Sequence, residues 1–332
     1  MSPPPAPPVQ VDPTPLYRIE VPIYAEISSL TRELGIQQIG TFQDRAGEQS
    51  QLNETGALPA AWSRVWGNRI ITSSDSGVNP HFNGAIGGMQ IGQDLYADSN
   101  ANGQRNHYGF LLGVAHASGD VSGFALGMPA VQAGSLSIDA GSIGAYWTHI
   151  GAGGWYTDTI VIGSTLTIKP SSNDGVSPTT HGRSIAGSIE AGVPLPLTAG
   201  LSIEPQAQVI WQHTAIDDLN DGISNVAFTN PNAVAARIGV RLTGRIQGLG
   251  AAWQPYAGVN LWRYFNATSH VSFDGSTDIP AQSSSTIADL AAGVAVNLSA
   301  RGSVFVSVHY AMNASGARRE TVGGNASVRW RW

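Results

Sequence analysis

Cysteine is absent from this 332-residue sequence, which excludes disulfides and thiolate metal sites. Its absence also suits a chain that must cross an oxidising compartment unfolded without forming stray bridges. Charge is scarce: only 12% of residues are charged, and the net −6 offers no electrostatic footprint for nucleic acid. Long apolar runs are missing too, since no window approaches the roughly 18 uninterrupted apolar residues of a membrane-spanning helix. That excludes a membrane helix and leaves a membrane barrel open, because barrel strands alternate faces and average to neutral hydropathy; the mean hydropathy here is −0.04. Met1 is followed by SPPPAPPVQVDPTP, with neither a basic n-region nor an apolar h-region, so no secretory signal peptide is read. Residence in an outer membrane would then make this sequence a fragment of a longer precursor.

What is present divides into three. Residues 1–16 hold much of the proline and read as a semi-rigid linker from something upstream. Residues 17–60 contain the one helical pattern and a polar, aperiodic lead-in. Residues 61–332 are alternating, glycine-rich strand sequence. The helix is expected over 17–35: Ile23, Ile27, Leu30 and Leu34 recur at helical spacing, with Glu26, Ser29, Arg32 and Glu33 between them. Pro22 suits a first turn and Gly35 a C-terminal cap. A lone half-polar helix of roughly 12 residues is marginal in water, so it needs a container.

The strands supply one. In 201–214 the odd positions run Leu201, Ile203, Pro205, Ala207, Val209, Trp211, His213, and the even ones carry Ser202, Glu204, Gln206, Gln208, Gln212 and Thr214. In 234–245 the apolar set Val234, Ala236, Ile238, Val240, Leu242 opposes Arg237, Arg241 and Arg245. The same split puts Glu190, Asp289, Arg329 and Arg331 on polar faces, while Asp158 falls in phase with Ile160 and Ile162, leaving that strand's facing open. Segments of this kind are expected near 61–73, 80–97, 104–118, 134–149, 153–169, 182–197, 198–216, 233–247, 250–266, 285–299, 301–313 and 318–332. They number about twelve, an even count as a single-chain bacterial membrane barrel requires. Short turns at 152–153, 198–199, 247–248 and 300–301 alternate with long loops at 170–181, 216–232 and 266–284, as on the two rims of such a barrel. A soluble sandwich also alternates, but its strands average about 5 to 6 residues and these are at least twice that. The expected fold is therefore an all-β, twelve-stranded antiparallel transmembrane barrel with the helix in its lumen. By parity Glu190, Glu204, Arg237, Arg241, Arg245, Asp289, Arg329 and Arg331 point inward, either as a sleeve that pairs with Glu26, Arg32 and Glu33 or simply as hydrated pore lining.

The chain resembles the C-terminal translocator, or β-domain, of autotransporters of the pertactin and AIDA type. The resemblance is carried by YRIEVPIYA (17–25), AWSRVWGNR (61–69), GGWYTD (153–158), SIEAGVPLPL (188–197), IEPQAQVIWQ (203–212), RIGVRL (237–242), WQPYAGVNLW (253–262) and VRWRW (328–332), in order along the chain. It implies type V secretion and a role in virulence: an outer-membrane barrel of a Gram-negative bacterium that anchors, and helps export to the cell surface, a passenger domain upstream in cis. It also implies the barrel assembly machinery and the lipid bilayer as partners, with the terminal aromatics Trp330 and Trp332 as the assembly signal, although phenylalanine is the commoner last residue.

Some members of the family cut themselves at an asparagine near the helix start. The first Asn here is Asn53, beyond the helix, so release is expected upstream, by a separate protease, or not at all. No catalytic residues, cofactor or metal are expected: the eight His, including His107, His116, His149, His213 and His309, show no metal spacing, and His181 with Ser184 is the nearest Ser–His pair. Two alternatives stay open, a plugged pore or porin without a passenger and an outer-membrane barrel lipase. The N-terminal tether and helix speak against the first, and the lack of a Ser–His motif speaks against the second.

Overall fold

Period-two alternation is what a strand needs when one side meets lipid and the other a packed, polar interior, and it recurs often enough in this chain to close a sheet on itself. The computed structural model describes residues 15–229, 232–248, 251–265 and 268–332. Twelve long strands form the wall: β1 (Ala60–Ser73), β2 (His81–Ser99), β3 (Arg105–Ala125), β4 (Met128–Ile150), β5 (Tyr156–Ser172), β6 (Thr180–Gly192), β7 (Leu201–Ile216), β8 (Ala233–Gly244), β9 (Ala251–Phe265), β10 (Ser285–Asn297), β11 (Gly302–Gly316) and β12 (Arg319–Arg331). Each pairs antiparallel with the next, and β1 pairs with β12 from Ala60↔Arg331 to Thr72↔Arg319, so no edge is left open.

The facing follows the alternation. Along β7 the odd residues from Pro205 onward are exposed and the even ones buried. Outside lie Val65, Met89, Ile91, Phe110, Leu112, Val114, Ile143, Val161, Ile189, Val209, Ile238, Val259, Leu261 and Val308, an apolar belt around the whole wall. Among the described residues no helix is long and apolar enough to cross a membrane; the strands do the crossing.

β3 and β4 are 21 and 23 residues long and run well past their expected ends at 118 and 134. Gly119, Gly123 and Pro129 read as strand breakers, yet the hairpin continues through them to a turn at Leu126 and Gly127, both with positive φ. The stretches expected as plain loops around 216–232 and 266–284 carry strands of their own. Leu219–Asn220, Asn225–Thr229, Thr268–Phe273 and Thr277–Gln282, with Asp75–Ser76, form a separate five-stranded sheet. The turn expected at 247–248 does not fall there, since Gln247 and Gly248 pair with Ala252 and Ala251; residues 249–250 lie outside the described residues. Residues 1–14 of the proline-rich segment also lie outside them.

The helix α1 spans Val21–Ile39 rather than 17–35. Pro22 does occupy its first turn, but Gly35 is not the cap; the helix runs on through Ile36 and Ile39 to Gly40, whose φ of +61° suits the left-handed region. Gly35 sits instead against the end of a flexible wall side chain. A Cβ there would lie 2.4 Å from Gln212 Nε2 on the wall. The lead-in after α1 is also more than a connector, because it folds into α2 (Phe42–Ala46) and a 3-10 turn at Gln49–Gln51, and both are largely buried inside the barrel.

Candidate functional site

Two apolar contacts seat the plug in the lumen. Ile23, Tyr24, Ile27, Leu30 and Leu34 pack against Phe82, Val121, Leu136 and Ile138 of the wall and against Val226, Val271 and Phe273 of the loop sheet. Deeper in the barrel, Ile36 and Ile39 meet Leu111, Ile160, Ile162 and Ile210. Asp158, Ile160 and Ile162 all face inward, which settles the facing of β5: its inward residues are apolar because the plug, and not water, covers them. Burying each large aliphatic side chain is worth about 1.5–3 kcal/mol, enough for a handful to hold a helix that would not persist alone. At the far end Thr41 and Asp44 form a reciprocal capping box that starts α2, and Phe42 stacks on Tyr156 at 4.4 Å.

Charged side chains then tie the plug to the wall at several levels. Glu33 of α1 pairs with Arg319 of β12, and its Oε1 accepts from Gln37 at 2.9 Å. Arg45 of α2 pairs with Asp158, whose other oxygen accepts from Thr148 Oγ1 at 2.6 Å. Arg237 meets Glu190 at 2.9 Å; the same carboxylate accepts from Tyr156 Oη at 2.9 Å and from the Phe42 N–H at 3.0 Å. Glu48 pairs with Arg241, which lies 4.0 Å from the Tyr256 ring centroid. Arg329 bridges Asp94 and Glu54. Arg64 donates to the Gln37 carbonyl at 3.0 Å, placing a cation at the C-terminal end of α1 where the helix dipole favours one.

Of the residues singled out by parity, Glu190, Glu204, Arg237, Arg241, Asp289 and Arg329 are buried and face inward, and Glu26, Arg32 and Glu33 are buried on the helix. Their partners are more varied than carboxylate–guanidinium pairs. Glu26 accepts from Thr72 Oγ1 at 3.1 Å and Arg32 donates to Ser283 Oγ at 2.6 Å. Glu204 accepts from Gln43 at 3.2 Å and Gln49 at 2.7 Å, and Asp289 from Asn260 at 2.7 Å. Arg331 is half-buried and donates to the Gln51 carbonyl at 2.7 Å. Arg245 departs from the expectation: it is exposed one position past the end of β8, where pairing passes to the rim strand Ile246–Gly248 and the inward parity stops. Trp330 and Trp332 face outward, 51% and 62% exposed.

Sequence reasoning missed Arg45, Glu48, Asp94 and Arg64. The first two lie in the aperiodic lead-in, and Arg64 shares its strand with an outward Arg69, so parity there gave no signal. Arg319 could have been found, since it has the same odd parity as Arg329 and Arg331.

At the other end the chain leaves through the long-loop rim. Arg18 donates to Asp221 Oδ2 and to Ser224 Oγ, both at 2.8 Å, and Tyr24 Oη donates to Asp221 at 3.1 Å. The Tyr17 ring meets Phe124 edge-on at 6.3 Å, and the Tyr17 carbonyl accepts from the Leu126 N–H at 2.8 Å. Burial pushes the Asp221 carboxyl upward, but N–H groups of Ser224 and Ile223 together with Arg18 outweigh it and hold the group below its ordinary value. Beside the plug, between α1–α2 and the wall from β7 through β12 to β1, remains a cavity of about 150 Å³ lined by Arg237, Arg241, Tyr256, Trp262, Asp289 and Arg319 among others.

Among the described residues no group of three potential metal ligands occurs. His107 faces inward with Nδ1 3.1 Å from Asp94, whereas His116, His181 and His213 face outward. His181 and Ser184 fall on opposite faces of β6, and Ser184 Oγ donates to the His213 carbonyl instead.

A membrane barrel of twelve strands, plugged by its own N-terminal helix, is the class of protein this geometry defines. The family model of the autotransporter β-domain matches residues 61–309, and the chain belongs to that family. It is an outer-membrane translocator domain, and the family implies a passenger joined to it in cis. Among solved structures, it is similar to the transport unit of the autotransporter AIDA-I from Escherichia coli, with 17% identity, 95% of this chain and 100% of that chain covered, and a TM-score of 0.77. The β domain of the Bordetella autotransporter BrkA matches at 23% identity over 83% of this chain and 100% of that chain, with a TM-score of 0.65. The translocator domain of NalP from Neisseria meningitidis matches at 14% identity over 93% and 97%, with a TM-score of 0.60. At these identities the structures speak for the fold alone.

Proposed function

We propose that this domain anchors a surface-exposed passenger continuous with its N-terminus, and that the helix is the plug and tether left in the barrel after export. One observation carries the reading: the chain enters the long-loop rim at Arg18, gripped by Asp221, and runs down the lumen to begin β1 at the short-turn rim. In a bacterial outer-membrane barrel the long loops are extracellular, so the chain at Arg18 stands at the outer rim, the side from which a passenger would extend. The buried ion pairs fix the register of the plug within the wall and add little net stability. Release by asparagine cyclisation has no nucleophile in α1, since Asn53 lies beyond it, near the short-turn rim, with its Oδ1 2.5 Å from Arg105 Nη1. The outward Trp330 and Trp332 serve as the signal for the barrel assembly machinery, and the domain performs no catalysis of its own.

The experiment is display. With a signal peptide and an epitope fused ahead of Met1, intact Gram-negative cells should bind antibody to the epitope. Epitope that stays periplasmic, while heat-modifiability shows the barrel folded in the membrane, overturns the reading.

A further inference from the structure

The lumen of a twelve-stranded barrel is wider than the roughly 10–12 Å of a helix with its side chains, so α1 alone leaves a gap. α1 lies nearest β2–β7, and the gap is the cavity of about 150 Å³ on its other side. Arg237, Asn260 and Asp289 line that cavity, a surface that water and small ions wet.

The lead-in crosses beneath it. The Phe42 N–H donates to Glu190 of β6 at 3.0 Å, and on β12 Asn325 and Arg331 donate to the carbonyls of Asp44 at 3.2 Å and Gln51 at 2.7 Å. Arg105 of β3 donates to the Leu52 carbonyl, and Gln254 of β9 donates to Ser50 Oγ at 3.4 Å. In a ring of twelve strands β6 stands opposite β12 and β3 opposite β9, so residues 42–54 are held across two diameters of the barrel. Arg45 with Asp158, Glu48 with Arg241, and Gln43 and Gln49 with Glu204 add β5, β8 and β7. Except for Asn325, each of these wall residues lies within three positions of the short-turn end of its strand. Phe42, Ala46 and Leu52 pack on Ile150 and Tyr156 beside them.

This span separates two cavities. The upper one, beside α1, is lined by Gln43, Asp44 and Arg241; the lower one, of about 420 Å³, lies at the short-turn rim and is lined by Glu48, Gln49, Ser50 and Glu204. The two share no lining residue, and the Glu48–Arg241 pair stands between them with one member lining each.

We propose that residues 42–54 form a floor that closes the short-turn end of the lumen to water-borne solutes, independently of α1. α1 occupies the lumen without sealing it, and the floor holds whether or not a passenger is attached.

The test reads thiol reactivity in the whole chain folded into vesicles, with a membrane-impermeant, sulfonate-bearing thiol reagent added outside. In Ser202→Cys/Ser307→Cys, position 202 lies in the lower cavity and position 307 in the upper one. Label at 202 marks barrels with the short-turn rim outward, and a second label on the same chain, read by intact mass, marks passage through the floor. The second label should be at least about tenfold slower than the first, and should approach it when Arg45→Ala/Glu48→Ala is added. It should stay slow with Glu33→Gln, which frees α1 from Arg319 and leaves the floor anchored. A second label as fast as the first with the floor intact overturns the proposal. So does one that stays slow when the two anchors are removed, or one that rises equally in Glu33→Gln. If Arg45→Ala/Glu48→Ala does not fold, Gln43→Ala/Gln49→Ala, which releases the floor from Glu204, takes its place with the same readings.

Discussion

Arg237 shows how a full charge is kept at membrane depth. It meets Glu190 at 2.9 Å, its Nη1 donates to Gln206 at 2.9 Å and Asn260 at 3.0 Å, and it lies 5.6 Å from the Trp262 ring centroid. Removing one partner strands the other, so Glu190→Gln and Arg237→Leu should each destabilise the barrel by about 3–5 kcal/mol in urea unfolding. Arg245→Gln, at the exposed rim, should change stability and single-channel conductance little. Asp221 is a pH-sensitive counterpart outside the membrane. Because its folded-state carboxyl is held below the ordinary value, the contribution of the ionised form is present at neutral pH and lost as pH falls through that depressed value. The melting gap between wild type and Asp221→Asn should accordingly be open at neutral pH and close in acid; a gap unchanged from neutral pH into strong acid would contradict it.

Among the elements, α1 was legible as a helix but not in its extent. Its apolar spacing and Pro22 announced it, while Gly35 imitated a cap because sequence alone cannot tell a glycine at a helix end from one inside a helix packed against a wall side chain. Gly35→Leu should therefore displace the helix or Gln212 and lower the melting temperature, and Gln212→Ala in the same chain should recover most of the loss. If Gly35→Leu is neutral alone, the close approach is not what holds glycine there. The loop sheet was hidden for another reason: strands of 2 to 6 residues, such as Leu219–Asn220 and Thr268–Phe273, are too short for alternation to register. The pairs made by Arg45 and Glu48 were equally unreadable, since the lead-in that carries them has no period and takes its position from the barrel around it.

The whole molecule was the most legible level. A wall with lipid on one side and a packed lumen on the other imposes one rule on every strand, and twelve repetitions of that rule outweigh the failure of any one strand to show it. β5 is the instructive failure: Ile160 and Ile162 line the lumen because the plug's Ile36 and Ile39 lie there, so reading the facing of that strand requires knowing the plug's position first.

The central claim is that α1 occupies the lumen of the assembled barrel in cells. A chain with no cysteine allows a direct test. Gly35→Cys with Gln212→Cys should cross-link under a short thiol reagent in intact outer membranes, as should the register pair Ser188→Cys with Ile210→Cys on β6 and β7. The account predicts both cross-links in the folded, heat-modifiable form. A wall-to-wall cross-link without the helix-to-wall one would place α1 outside the lumen and contradict it.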